Sequence, residues 1–201
     1  MKKEVIFILL DEFAEWESAF IAAGLNGGVE PGRASYKVRT LSVTGAPVIS
    51  IGGFRVLPDY SICNIPGDYE GLILVGGMSW FTPEAQLIVP LVKKAVEAGK
   101  LVAGICNASV FLGMHGFLDK VKHTSNTLEY LKKHAGESYK GADNYIDEQA
   151  VRDGKIVTAN GTGYLEFCRE ILYGLEADTP EKIEGSYWFN KLGLCEMMKR
   201  K

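Results

Sequence analysis

The chain has 201 residues, the size of one domain, which can bury a core without metal or disulfide staples. Its 47% hydrophobic and 23% charged residues are an ordinary globular mixture, and a formal net charge of -3 argues against a basic nucleic-acid binder. Glu4 to Leu10 is a nearly unbroken apolar run rich in Val and Ile, suited to a strand buried on both faces of a parallel sheet. A helix is predicted from about Ala14 to Leu25, stopping at Asn26-Gly27-Gly28. Tyr36 to Val43 alternates as a strand does, and Pro47 to Val56 places Gly52-Gly53 between two β-rich pieces, a hairpin pattern. Leu72 to Val75 is a further buried strand, ending at Gly76-Gly77. A helix over 83–98 carries Leu87, Leu91 and Val92 on one face and stops at Gly99. Leu101 to Ile105 reads as a strand and 107–115 as a helix; polar His123 to Asn126 leads into a short helix at 128–134. Tyr145 to Val151 and Lys155 to Ala159 read as strands joined by Asp153-Gly154, and 163–175 as a helix. Thr179-Pro180-Glu181 opens a last helix, with Thr179 as N-cap and Pro180 at the first helical position.

Alternating strands and helices predict an α/β domain, a mostly parallel sheet with helices on both faces. One domain spans 1–201, with 179–201 as a C-terminal helical extension. Ligands in this architecture gather at the carboxyl ends of strands, here Leu10-Asp11, Val75-Gly76-Gly77 and Ile105-Cys106. The apolar start, Val5 to Leu10, is shorter than a secretory h-region and meets Asp11 and Glu12 at once. No apolar run approaches the ~20 residues of a membrane span, so a cytoplasmic protein with no membrane partner is expected.

None of Cys63, Cys106, Cys168 and Cys195 forms a Cys-x-x-Cys pair, and the histidines are His115, His123 and His134 alone. No metal, cofactor or disulfide framework is therefore expected. Cys63, Cys168 and Cys195 read as small core residues. Cys106 differs. In Leu101-Val-Ala-Gly-Ile-Cys106-Asn-Ala-Ser, Gly104 and Ala108 lie two residues either side, the spacing of a nucleophile elbow. A tight strand-to-helix turn brings those positions together, and large side chains would clash. The turn forces an unfavourable backbone on the cysteine, at ~1–3 kcal/mol. It also sets the sulfur at the positive end of a helix; a pKa of ~5.5, inside the activated range, would make it almost wholly thiolate.

Glu17 in the first helix, Gly76-Gly77 after a strand and Ala-Gly-Ile-Cys106 occur in an order that resembles the ThiJ/PfpI family of the class I glutamine-amidotransferase-like superfamily. Trp16-Glu17, Gly76-Gly-Met-Ser-Trp80 and Thr158-Ala-Asn-Gly-Thr162 resemble its bacterial YdeA-like branch, and the resemblance covers roughly residues 3 to 175. It implies a three-layer flavodoxin-like sandwich and a homodimer. It implies that Glu17 is a buried, protonated carboxyl that hydrogen-bonds the cysteine sulfur, the two protons titrating as a pair. Read from periodicity alone, Glu17 is instead a solvated first-turn residue, and Glu15 competes for the role. The resemblance also implies that backbone N–H groups of Gly76 and Gly77 face the sulfur, ready for an oxyanion or for the oxygens of an oxidised cysteine.

The pattern departs from the family's where a base is needed. Several family hydrolases carry His directly after the nucleophile, where this chain has Asn107. Other members carry His in the loop after the elbow helix, where Asn126 aligns; His123 could reach the pocket after a local shift. Asn cannot accept a thiol proton, so no Cys-His triad is visible. The amidotransferase His-x-Glu pair is absent too, so amidotransferase and peptidase activities are not expected. Trp80 is either a pocket wall or a core or interface residue. Asn160-Gly161-Thr162 is either a turn before the Gly163 helix or a pocket rim. The apolar residues of 182–201 pack on the domain, cover the site or make a dimer contact. Three functions follow: a cysteine enzyme acting on a small electrophile, a hydrolase or glyoxalase/deglycase-like lyase; a redox-sensing stress protein in which Cys106 becomes a sulfinic acid; and a non-catalytic binding module.

Overall fold

The computed structural model describes residues 3–27 and 36–199. Gly28 of the predicted helix stop lies outside them. The strands are β1 (Lys3–Ile8), β2 (Tyr36–Ser42), β3 (Val48–Ile49), β4 (Arg55–Val56), β5 (Tyr60–Ser61), β6 (Gly71–Leu74), β7 (Leu101–Ile105), β8 (Ala150–Asp153) and β9 (Ile156–Ala159). The helices are α1 (Glu15–Leu25), α2 (Val89–Glu97), α3 (Asn107–Met114), α4 (Leu128–Ala135), α5 (Tyr164–Gly174), α6 (Pro180–Leu192) and α7 (Leu194–Lys199). Seven strands form one sheet in the order β5-β2-β1-β6-β7-β9-β8, parallel except for β8, while β3 and β4 form the separate hairpin.

Alternation along each strand sorts the core into two layers. Ile6, Ile8, Leu72, Leu74 and Val102 face Val92, Phe111 and Leu131 of α2, α3 and α4. Val5, Phe7, Ile73, Ala103 and Ile105 face Ile21 of α1 and Phe167 and Ile171 of α5. At ~1.5–3 kcal/mol for each large apolar side chain fully buried, a one-residue slip of any central strand is prohibitive. This is the flavodoxin-like sandwich. The chain leaves β1 toward β2 and returns to β6 on the other side, so a switch-point crevice opens where β1 and β6 end.

Four expectations need correction. The predicted helix over 83–98 is a 3-10 turn at Glu84–Ile88 followed by α2, because Pro90 has no N–H for the helical ladder. The change of phase leaves Leu87 53% exposed. The predicted strand Tyr145–Val151 begins only at Ala150, since Asp147, Glu148 and Gln149 are exposed and Tyr145 makes an isolated bridge with His123. Thr179 is the N-cap of α6 and Pro180 its first residue, but the Thr179 hydroxyl makes no capping hydrogen bond. Cys63 and Cys195 are exposed surface residues, not core.

Helix α6 packs on α5. Ile183 is buried, and Tyr187 Oη and Lys191 Nζ each donate to Glu166 Oε1 at 2.7 Å. No helix among the described residues is long and apolar enough to cross a membrane.

Candidate active site

Cys106 joins β7 to α3 with φ 56° and ψ -127°, a conformation costly for a residue with a side chain. The elbow geometry requires small neighbours. A Cβ on Gly104 would lie 2.8 Å from Leu112 Cδ1 and 3.2 Å from the Ala108 backbone. The Cys106 carbonyl is fixed by Ser109, whose Oγ donates to it at 2.6 Å and also bonds Ser125 Oγ at 2.8 Å. Cys106 as a residue is partly exposed.

Glu17 sits in the first turn of α1 and is only 2% exposed. Its Oε2 has no partner of ordinary hydrogen-bond geometry. Desolvation raises its pKa to about 8, against weaker lowering by the Cys106 thiol and the Gly76 N–H. Glu15 is different in kind: it is half-exposed, it accepts from Gly52 N at 3.3 Å, and its pKa is lowered, first by its own backbone N–H. Of the two acids, Glu17 is the one placed against Cys106.

Two glycines hold the acid and the thiol together. A Cβ on Gly76 would collide with Glu17 Oε2 and lie 2.7 Å from Cys106 Cβ. A Cβ on Gly161 would lie 3.1 Å from Cys106 Sγ and 3.2 Å from Glu17 Oε1. Gly161 is thus a wall of the site as well as part of a turn. The Gly77 carbonyl accepts from Asn107 Nδ2 at 2.8 Å, and Tyr130 Oη donates to Asn107 Oδ1 at 3.1 Å. Asn126 bridges the site: Gly161 N–H donates to its Oδ1 at 3.0 Å, which turns its Nδ2 toward Cys106 Sγ at 3.4 Å. Asn126 is therefore a donor to the sulfur and cannot act as its base.

The thiol is pushed up from its ordinary pKa, by burial first and by the Glu17 charge second. The Asn126 amide and the Asn107 N–H pull it down without prevailing. The helix terminus alone predicts the opposite direction, so the expectation of ~5.5 is corrected. Because Glu17 keeps its proton up to about pH 8, its charge is largely absent at neutral pH, and acid and thiol share their protons as one pair.

Two expected residues lie elsewhere. His123 is fully buried, with Nδ1 2.7 Å from the Val121 carbonyl and Nε2 bonded to Tyr139 Oη, so neither nitrogen is free for Cys106. Trp80 is 1% exposed in the core, donates from Nε1 to the Val75 carbonyl at 2.7 Å and packs on Phe111. Sequence reasoning also missed Tyr130, which sits in an ordinary amphipathic helix and carries no motif. Among the described residues, no cluster of three or more His, Cys, Asp or Glu side chains could hold a metal ion.

A flavodoxin-like α/β sandwich with a cysteine on a strained strand-to-helix elbow and a buried acid beside it defines the class. The chain belongs to the DJ-1/PfpI family, whose pattern matches residues 3–173. It is 36% identical to "Uncharacterized protease YdeA" of Bacillus subtilis over 95% of this chain and 92% of that one. A thiJ/pfpI family protein from Bacillus anthracis has a similar structure, with a TM-score of 0.88 and 34% identity over 95% of this chain and 91% of that one. A DJ-1 superfamily protein from Agrobacterium tumefaciens superposes with a TM-score of 0.83 at 35% identity, covering 93% and 96% of the two chains.

Proposed function

We propose that the protein is a cysteine-dependent enzyme acting on a small electrophilic substrate, an aldehyde, amide or nitrile carbon, with Cys106 as nucleophile and Glu17 as its proton partner. One observation carries the reading: a buried carboxyl with an unpartnered oxygen shares a glycine-walled space with the sulfur. Protonated at neutral pH, this carboxyl can give its proton to the carbonyl oxygen as the sulfur attacks and take the thiol proton on its other oxygen. The S–C bond forms, the carbonyl π bond opens, the new oxygen takes the Glu17 proton and Glu17 is reprotonated by the thiol, giving a hemithioacetal from an aldehyde or a tetrahedral adduct from an amide. The Gly76-Gly77 loop and the Asn107 N–H supply the donors for that oxygen. No histidine takes part, which is why the acid must carry the proton.

Screening small glyoxals, amides and nitriles tests the reading. Turnover of at least one class is expected, abolished in Cys106→Ser and reduced ~10²–10⁴-fold in Glu17→Gln, the usual scale of general acid–base catalysis. Undiminished turnover in Cys106→Ser, or none in the wild type on any class, contradicts it. A second reading has its own support. Asn126 Nδ2 and Asn107 N–H both point donors at the sulfur, a setting that also suits sulfinate oxygens. Gain of two oxygens at Cys106 under peroxide without turnover of any substrate favours a sensor. A homodimer belongs to the same proposal. An apolar groove of ≈320 Å³ between α1, β2 and the hairpin, bordered by exposed Trp16 and Phe54, is the face it would cover, and sedimentation as a monomer refutes it.

A further inference from the structure

We propose that Tyr130 is a positioning residue of this site: its hydroxyl fixes the Asn107 carboxamide, which fixes the Gly77 carbonyl of the loop facing Cys106. The inference rests on reading Cys106 and the glycine loop as the working centre. Asn107 is 4% exposed, so both ends of its carboxamide need partners. The Gly77 carbonyl can only accept, which turns Nδ2 toward it and leaves Oδ1 in need of a donor. Tyr130 is the donor at that oxygen. Without it, a buried acceptor is stranded, and the amide is free to rotate away from Gly77.

The phenol is itself held in place. Thr127 Oγ1 accepts from Tyr130 N at 3.0 Å and caps α4, which sets Tyr130 in the first turn. The Tyr130 ring lies 4.3 Å from the His134 ring, and His134 stacks on Phe81 at 4.7 Å. Phe81 ends the short 3-10 turn that follows Gly76-Gly77-Met78. A closed circuit results: glycine loop, Phe81, His134, Tyr130, Asn107 and back to the glycine loop. It ties β6, α3 and α4 together at the one place where the backbone must be held against the sulfur. Burial first, and a charge on Cys106 after it, push the phenol's pKa up. The Asn107 N–H also bonds toward the sulfur, which makes the thiol a reporter of where Asn107 sits.

The test is the pH profile of iodoacetamide alkylation at Cys106 in the full chain, followed by peptide mass spectrometry because Cys63 and Cys195 are exposed. Tyr130→Phe keeps the ring stack and removes the hydroxyl. Its Cys106 profile should move up by roughly half a pH unit, the scale of one weakened hydrogen bond to an anion, with Cys63 unmoved. In an Asn107→Ala background the same substitution should add no further shift. Superimposed profiles for wild type and Tyr130→Phe, even with a lowered Tm, overturn the proposal. So does an equal shift in both backgrounds, which would mean that Tyr130 does not act through Asn107. Turnover is not needed for the readout: an inactive wild type counts against the proposed enzyme and leaves this result standing on its own.

Discussion

Two buried glutamates occupy matching places in this fold and behave oppositely. Glu17 lies in the first turn of α1 and Glu166 in the first turn of α5, at 2% and 7% exposure. Burial pushes both carboxyls up. At Glu166 the Lys191 ammonium and the Tyr187 hydroxyl outweigh it, and the net shift is downward. At Glu17 the thiol and a single glycine amide do not, and the pKa rises to about 8. Burial therefore does not decide whether a carboxyl is a structural anion or a proton store; the number and charge of its donors do. The acid left short of donors is the one beside Cys106.

The largest effect that could break this comparison lies in stability against pH. Between about pH 4.5 and pH 8 the unfolded chain gives up the Glu17 proton while the folded chain keeps it. Stability from this group is thus complete below the ordinary carboxylate pKa and is lost as pH rises toward 8, by roughly 3–6 kcal/mol. Glu17→Gln removes that slope. Urea denaturation should find the variant gaining on the wild type steadily from pH 5 to pH 8; a gap that does not change with pH breaks the comparison. Glu166 carries the opposite sign. Its contribution is present above the ordinary carboxylate pKa and fades in acid. Lys191→Met should cost about 1 kcal/mol or less at neutral pH, because the lysine side chain is 43% exposed and screened, and nothing once Glu166 is protonated. A loss of the same size in strong acid would show that Lys191 acts by packing alone.

The sequence made the sheet and the elbow legible because both are written in local rules. Nearly unbroken apolar runs identify β1, β6 and β7, and small residues flanking Cys106 announce a tight turn. What escaped depends on contacts distant in sequence. Trp80 stands beside the glycine loop in the chain, yet its indole turns into the core to bond the Val75 carbonyl. His123 follows a polar pattern and is consumed by Tyr139 and Val121. Gly161 looks like any turn glycine until its approach to the sulfur is seen. The thiol's upward shift escaped for the same reason, since desolvation has no sequence signature. The misplaced helix start near Pro90 is the exception: that signal was local and outranked by the apolar spacing.

The pairing of Glu17 with Cys106 requires Glu17 to hold a proton at neutral pH. Carbon-13 NMR of protein labelled at the glutamate carboxyls, with Glu17→Gln supplying the assignment, reads that state alone. A resonance that titrates at about pH 8 and shifts when Cys106 is replaced by Ser is expected. A Glu17 carboxyl that titrates near 4.5, indifferent to Cys106, would contradict that pairing.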